Sequence, residues 1–483
     1  MTIKLLLALL ILAITGTGLY HAFKPLPPGI AYKGKTYPLI KPRLLIDQTL
    51  HHGDYGNGGP RLDHEIFDEA LAMVRSARRF ILVDMFLYNS TSARGEDSAD
   101  RPLAKELTDA LIRQRENFPE LQVVVITDPI NTLYGGLLSE NFQRLEAAGI
   151  SVVQTRLTAL RDSNPLWSGI WRLCCQWLGN SAESGWLPNP IGNQPVTLRS
   201  YLSLLNFKAN HRKVLVTEGD TGFRALVSSA NPHDGSSRHS NIGLSFAGPA
   251  VADLLRSERA VLAFSDAPTS AVDDALGRIP EAAPAEEARI RVLTESAIRD
   301  AALEMITSAE PGDQLDIAMF YLSHRDIVLA LVKAHRRGVA VRVLLDANQD
   351  AFGRKKNGIP NRQTAMELTN NGVSVRWCNT HGEQCHSKLL LRQDKNGRAQ
   401  MLLGSANFTR RNLDDLNLET DVLVLAYRGH SSIAKANTFF EEQWQSGPGN
   451  PAVMSLPYRA WADHSRLRYW QYRFMEATGL STF

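Results

Sequence analysis

His211-Arg212-Lys213-Val214-Leu215-Val216 and His386-Ser387-Lys388-Leu389-Leu390-Leu391 are two copies of one pattern: a histidine, a lysine two places on, and an apolar run of strand type. Ser228-Ser229-Ala230-Asn231 and then Asn241 follow the first copy; Gly404-Ser405-Ala406-Asn407 and then Asn417 follow the second. The histidine-to-serine separations are 18 and 19 residues, and the separations to the last asparagine are 30 and 31. Duplication at matched spacing predicts two related lobes that share one active site.

The repeat extends outward from these motifs. Ile81–Phe86 resembles Leu315–Phe320, and each is followed by a helical pattern, Leu103–Arg115 or Ile327–Arg337. A second strand comes next, Leu121–Asp128 or Val339–Asp346. Then follow a helix closed by Gly149 or Gly372 and a third strand, Ile150–Val153 or Val373–Trp377. This order predicts an α/β chain of two repeated domains with mainly parallel sheets. The offset between the copies is 223 residues at the glycines and 175 at the histidines, so the first half carries an insertion of 48 residues. We expect a first domain over 40–265 with a tryptophan-rich insertion at 154–206. A connector at 266–288 follows, containing Pro268, Pro280 and Pro284, then a second domain over 289–450 and a basic, aromatic tail over 451–483.

Alternate residues of a strand share a face, which would put His211 beside Lys213 and His386 beside Lys388, about 7 Å apart. Two imidazoles and two ammoniums suit displacement at a phosphodiester. One histidine attacks phosphorus and the other protonates the departing alcohol. The lysines, the amides of Asn231 and Asn407 and the hydroxyls of Ser229 and Ser405 would hold the phosphoryl oxygens as charge builds. No cofactor and no metal is expected, because two lysines can supply the positive charge. Cys378, His381, Cys385 and His386 match no standard zinc spacing and read as a loop leading into the second motif.

The paired motifs resemble those of the phospholipase D superfamily, over residues 79 to 445. The resemblance implies two α/β/α sandwich domains with the site at their interface, and a phosphohistidine intermediate with His211 as nucleophile and His386 as general acid and then base. It also implies that Glu419, in Asn417-Leu418-Glu419, is the carboxylate that orients His211 from the other half. The family's acid seven places after each histidine is Glu218 in the first half; Gln393 stands there in the second, with Asp394 one place later. Aligning Asn241 with Asn417 puts Gly243 opposite Glu419, which leaves His386 without its orienting partner or with one from elsewhere.

The remaining features bear on substrate and place. The chain has 483 residues, 44% of them hydrophobic and 21% charged, with 53 basic against 50 acidic side chains. A net charge of +3 gives no long electrostatic track for duplex nucleic acid. Four cysteines make no disulfide framework, and Cys174-Cys175 reads as packing. Leu5–Phe23 is free of formal charge and nearly spans a bilayer, and bulky residues occupy the position of a cleavage site. An uncleaved anchor over 1–24 in a bacterial inner membrane is the expectation, with a removed signal peptide as the alternative, and Lys4 against Lys24, Lys33 and Lys35 leaves its orientation open. Trp167, Ile170, Trp171, Cys174, Trp177 and Leu178 fall at helical spacing, either as a lipid-facing stripe or as a packed helix face. The tail from Tyr458 either touches anionic headgroups or packs back on the domain. A phospholipid substrate at a membrane surface, handled by a monomeric catalytic unit with no obligatory nucleic acid, is the expected function. A nuclease of the same superfamily and a catalytically inactive membrane-bound interaction module are the alternatives.

Overall fold

The computed structural model describes residues 3–50, 61–91, 100–189, 194–281, 286–348, 350–351, 354–445 and 453–481. The terminal amine and Pro284 lie outside them. Helix α1, Ile3–Phe23, comes first and is almost wholly exposed, long and apolar enough to cross a membrane.

Seven strands build the first lobe: β1 (Ile40–Leu50), β2 (Ala77–Met85), β3 (Gln122–Thr127), β4 (Ser151–Gln154), β5 (Lys213–Gly219), β6 (Gly222–Ser228) and β7 (Asn241–Ala247). Their order in the sheet is β1-β7-β6-β5-β2-β3-β4, with Arg61–His64 as an added edge beside β1. Seven more build the second: β8 (Arg289–Thr294), β9 (Gln314–Met319), β10 (Ala340–Leu345), β11 (Ser374–Cys378), β12 (Lys388–Gln393), β13 (Arg398–Gly404) and β14 (Thr420–Tyr427). Their order, β8-β14-β13-β12-β9-β10-β11, repeats the first strand for strand.

The sheets are mixed rather than mainly parallel. Only β2-β3-β4 and β9-β10-β11 run parallel. The motif strands β5 and β12 enter antiparallel to β2 and β9, and each is tied antiparallel to the next strand by a hairpin, Gly219–Gly222 or Gln393–Arg398. The parallel strands need crossovers, supplied in the first lobe by α2 (Leu103–Asn117) and α3 (Glu140–Ala147). Gly149 and Gly372 sit at φ +73° and +87° just past their helices, the left-handed closure that glycine adopts without steric cost.

The two sheets meet face to face. Leu82, Val214 and Val216 of the first join Ala318, Leu389 and Leu391 of the second in one continuous apolar core, while Ile81, Val83 and Leu215 point outward to the first lobe's helices. Period-2 alternation therefore sends each strand's side chains into two cores, one between the lobes and one beneath the helices. The connector is not wholly extended: Ser270–Leu276 is helical, with Val272 and Ala275 buried.

The insertion supplies α4 (Pro165–Leu173) and α5 (Leu198–Leu205). Asn164 caps α4 through its side chain and Pro165 opens it, and the helix stops at Leu173, short of Trp177. Trp171 packs inward at 5% exposure, whereas Leu166, Ile170, Leu173 and Trp177 face out. The apolar spacing thus divides between core and surface. Helix α1 lies along α4 with glycine at the crossing on both sides: a Cβ at Gly18 would stand 2.7 Å from Pro165 O, and one at Gly169 2.0 Å from Ile14 O. The tail folds back on the second lobe. Ser455–Pro457 extends its sheet beside β11, and helix α6, which we number after α5 and which spans Arg466–Thr478, buries Tyr472 while Leu467, Trp470 and Phe474 stay exposed.

The cysteines are paired, Cys174 with Cys175 and Cys378 with Cys385, contrary to the packing role expected for the first pair. Cys378 and Cys385 are consequently not thiolate ligands, and among the described residues no histidine, cysteine and carboxylate cluster suits a metal ion.

Candidate active site

Both histidines lie just ahead of their strands, since β5 and β12 begin at Lys213 and Lys388. Each lysine reaches back to its own histidine: Lys213 Nζ donates to His211 O at 2.5 Å and Lys388 Nζ to His386 O at 2.7 Å. A phenylalanine supports each pair. Phe86, next after β2, lies 4.7 Å from the His211 ring and 4.9 Å from Lys213 Nζ. Phe320, next after β9, lies 4.9 Å from His386 and 5.3 Å from Lys388 Nζ. The end of the preceding strand therefore fixes both functional side chains of a lobe.

The lobes are cross-linked at these residues. The backbone N–H of His211 donates to Leu418 O across the interface at 2.9 Å, and that of His386 donates to Ser240 O at 2.8 Å. His211 Nδ1 bonds Glu419 at 2.9 to 3.0 Å, and His386 Nδ1 bonds Asn241 Oδ1 at 3.0 Å. Each imidazole is thus oriented by a residue of the opposite lobe, with Nδ1 occupied and Nε2 left for chemistry.

Asn241 is the counterpart of Glu419, which corrects the register read from sequence. Ser229 N bonds Ile242 O and Ser405 N bonds Thr420 O, so Asn241 and Glu419 occupy equivalent places, as do Gly243 and Asp421, which pair with Ser228 and Gly404. The shift has a packing reason. In the first lobe the small residue is on β7, where a Cβ at Gly243 would stand 2.8 Å from Ser228 Cβ; in the second it is Gly404, making room for Asp421. His386 is therefore not orphaned; a neutral amide does at His386 what a carboxylate does at His211.

The serines act on these orienting groups. Ser229 Oγ donates to Asn241 Oδ1 at 3.0 Å and Ser405 Oγ donates to Glu419 at 2.5 Å, while each oxygen accepts the backbone N–H of the residue after its orienting group, Ile242 or Thr420. Their hydroxyl protons are committed there rather than to an incoming phosphate. Asn231 Oδ1 accepts from Leu87 N at 3.3 Å, and Asn407 Oδ1 is buried with no partner among the described residues. Asn417 Oδ1 accepts from Ala209 N at 3.0 Å and so braces the approach to His211. Glu218 lies at the far end of β5 in an ion pair with Arg278, 2.7 Å away, and Gln393 makes a 2.7 Å bond to Asn437; neither reaches the histidines.

Two supporting groups escaped the motif reading. Arg212, between His211 and Lys213, is fully buried, donating to Glu258 and Ser257 of its own lobe and at 2.8 Å to Glu295 of the other. Glu295 in turn accepts the backbone N–H of Glu419. It holds φ at +47°, a costly conformation for a non-glycine residue, tied down by these bonds. His239, structurally opposite Asn417, lies 5.9 Å from the His386 ring. The doubled His-x-Lys pattern hides both, because neither is repeated: Ser387 replaces Arg212 in the second copy.

The site's electrostatics follow from burial among like charges. Burial lowers His211 to about 4 despite Glu419, which itself stays below its usual range beside the ring. His386 falls well below 6.5 through burial and then the charges of Lys388, His239, Lys213 and His211. Lys213 drops to about 7 through burial, and Lys388 falls well below its ordinary range through burial and Lys213. The four groups feel one another's charge, so an anion bound among them would be stabilised.

Residues 302–444 match the family described as cardiolipin synthase, phospholipase D-like domain. No curated protein matches the chain. Among solved structures, the phosphatidylserine synthase of Haemophilus influenzae Rd KW20 superposes over 97% of this chain and 99% of its own with a TM-score of 0.56 at 11% identity. The phospholipase D family member Nuc of Salmonella typhimurium is 25% identical over 33% of this chain and 93% of its own, with a TM-score of 0.26. The first match, spanning nearly both whole chains, establishes a common fold. Residues 302–444 match a phospholipase D-like domain, and the first lobe repeats that domain's strand order and its histidine–lysine motif.

Proposed function

We propose that the chain is a phosphodiesterase or phosphatidyltransferase acting on phospholipids by two displacements at one phosphorus. The reciprocal orientation of His211 by Glu419 and of His386 by Asn241 carries this reading. His211 Nε2 attacks phosphorus, the bond to the leaving alcohol breaks, and His386 Nε2 gives that alcohol a proton. Phosphorylation puts positive charge on the attacking ring, so the ring whose partner across the interface is a carboxylate should be the nucleophile; hence His211. In the second step His386 takes a proton from water or an acceptor alcohol, whose oxygen attacks phosphorus and releases His211. Lys213 and Lys388 hold the nonbridging oxygens, with the N–H of the Asn407 amide as a further donor.

Lipid is favoured over nucleic acid by the surface around α1. Leu166, Ile170 and Leu173 are exposed on α4, against which α1 packs, and Trp177 is exposed just beyond its end. These are groups suited to a bilayer from which α1 emerges. The near-neutral net charge supports the same choice. Purified full-length protein incubated with phosphatidylglycerol vesicles and a chelator should release phosphatidic acid, cardiolipin or both. Cleavage of single-stranded DNA with the lipid untouched would overturn the lipid assignment.

A further inference from the structure

The loop after β4, with helices α4 and α5, encloses a cavity of about 280 Å³ lined by none of the paired histidines and lysines. Arg156, Arg172, Arg199 and Lys208 line it. Among the described residues two carboxylates answer them. Asp162 is shared by Arg172 at 2.8 Å and by Lys208, and the exposed Asp266 lies 2.8 Å from Arg156. The wall is left net positive. Burial, and after it the charge of Arg172, lowers Lys208 to about 7 despite Asp162, a shift that a bound anion would oppose.

Two polar groups in the wall await a ligand as well. Asn206 is 5% exposed, and its Oδ1 has no partner among the described residues; neither has the buried hydroxyl of Tyr134. A bound oxyanion would take the Tyr134 proton and, with the amide turned over, an Asn206 N–H. Trp171 supplies an apolar side, with the Arg199 guanidinium 4.9 Å from its ring.

The cavity sits where α1 leaves the body. Asp162 N donates to His21 O at 2.9 Å, Lys24 Nζ to Thr158 O at 2.7 Å and Arg161 Nε to Lys24 O at 2.9 Å, so the loop bearing Arg156 and Thr158 also holds the end of α1. Where α1 crosses a bilayer, this wall is at headgroup depth.

We infer that this cavity is a second phosphate-binding site, separate from the paired histidines, that holds the headgroup phosphate of an anionic phospholipid. The inference rests on the membrane reading proposed above, while the site itself is independent of catalysis. The test uses the full chain in nanodiscs of phosphatidylcholine with and without phosphatidylglycerol, with retained lipid counted by native mass spectrometry. Glycerol 3-phosphate serves as the soluble probe in a parallel titration. Lys213→Met with Lys388→Met empties the catalytic anion site and should leave phosphatidylglycerol retention unchanged. Arg199→Gln and, on the other wall, Arg156→Gln should each weaken retention at least tenfold while hydrolysis of bis(p-nitrophenyl) phosphate stays at the wild-type rate. Saturation by glycerol 3-phosphate in lipid-free detergent would assign the site to a soluble phosphate, and its absence would assign it to the bilayer headgroup. Retention unaffected by both arginine variants, or abolished by the paired lysine variant, would overturn the inference.

Discussion

Glu419→Gln isolates the charge behind the attacking ring, because it gives His211 the neutral partner that His386 already has. The carboxylate lies 2.9 Å from Nδ1 in a fully buried position. Exchanging a charge-assisted bond for a neutral one costs about 1 to 2 kcal/mol. Direct attraction between a carboxylate and a ring charge centred about 4 Å away is about 4 kcal/mol at an effective dielectric of about 20. The cationic phosphohistidine should thus lose about 1 to 4 kcal/mol, which lowers kcat about five- to a thousandfold. The amide has one acceptor oxygen where the carboxylate served Ser405, Asn412 and His211, so melting temperature must be followed alongside. The assay is single-turnover cleavage of a short-chain phospholipid, with acid-quenched phosphoenzyme measured against time. A folded Glu419→Gln enzyme forming phosphoenzyme within threefold of the wild-type rate would refute the assignment of the carboxylate to the nucleophile.

Further expectations follow from the same geometry. His211→Ala should abolish the acid-quenched phosphoenzyme, whereas His386→Ala should still form it from a substrate with a good leaving group such as p-nitrophenol and then stall; a labelled His211→Ala protein would reverse the roles. kcat/KM for a soluble diester should fall as pH drops through about 4, where His211 takes a proton and ceases to be a nucleophile. It should also fall as pH rises, because His386, held well below 6.5, gives up the proton the leaving alcohol needs and Lys213 of the free enzyme loses its charge at about 7, so an optimum above about 9 contradicts the account. Asn241→Asp places a carboxylate behind His386, favours its protonated form and should move the alkaline fall of the same profile upward. Gly169→Leu cannot keep the crossing with Ile14 and should separate α1 from α4, seen as faster proteolysis between α1 and the first lobe, with soluble-diester hydrolysis intact.

Much of this was legible in sequence because a repeat constrains itself. The strands, the helices between them and the pairing of Glu419 with His211 follow from residues that recur or resemble a family. The partner of His386 was not, because the segment from Ser229 to Asn241 is two residues shorter than that from Ser405 to Glu419. Asparagine matched asparagine at the wrong register, and only the ladder of hydrogen bonds restores it. Phe86 and Phe320 were visible merely as strand residues, since what they touch depends on a hairpin more than a hundred residues away in the first lobe. Arg212 read as a motif spacer, yet its partners Glu258 and Glu295 come together only when the lobes close. Mixed sheets replaced parallel ones because a periodic strand pattern carries no direction.

The convergence of the two lobes on one phosphorus is tested most directly by a crystal structure of the full chain with orthovanadate. We predict a single vanadate bonded to His211 Nε2, its oxygens held by Lys213 and Lys388, with His386 Nε2 at the opposite apex. Vanadate bound by the histidine and lysine of one lobe alone, with the other pair facing a separate pocket, would contradict the account.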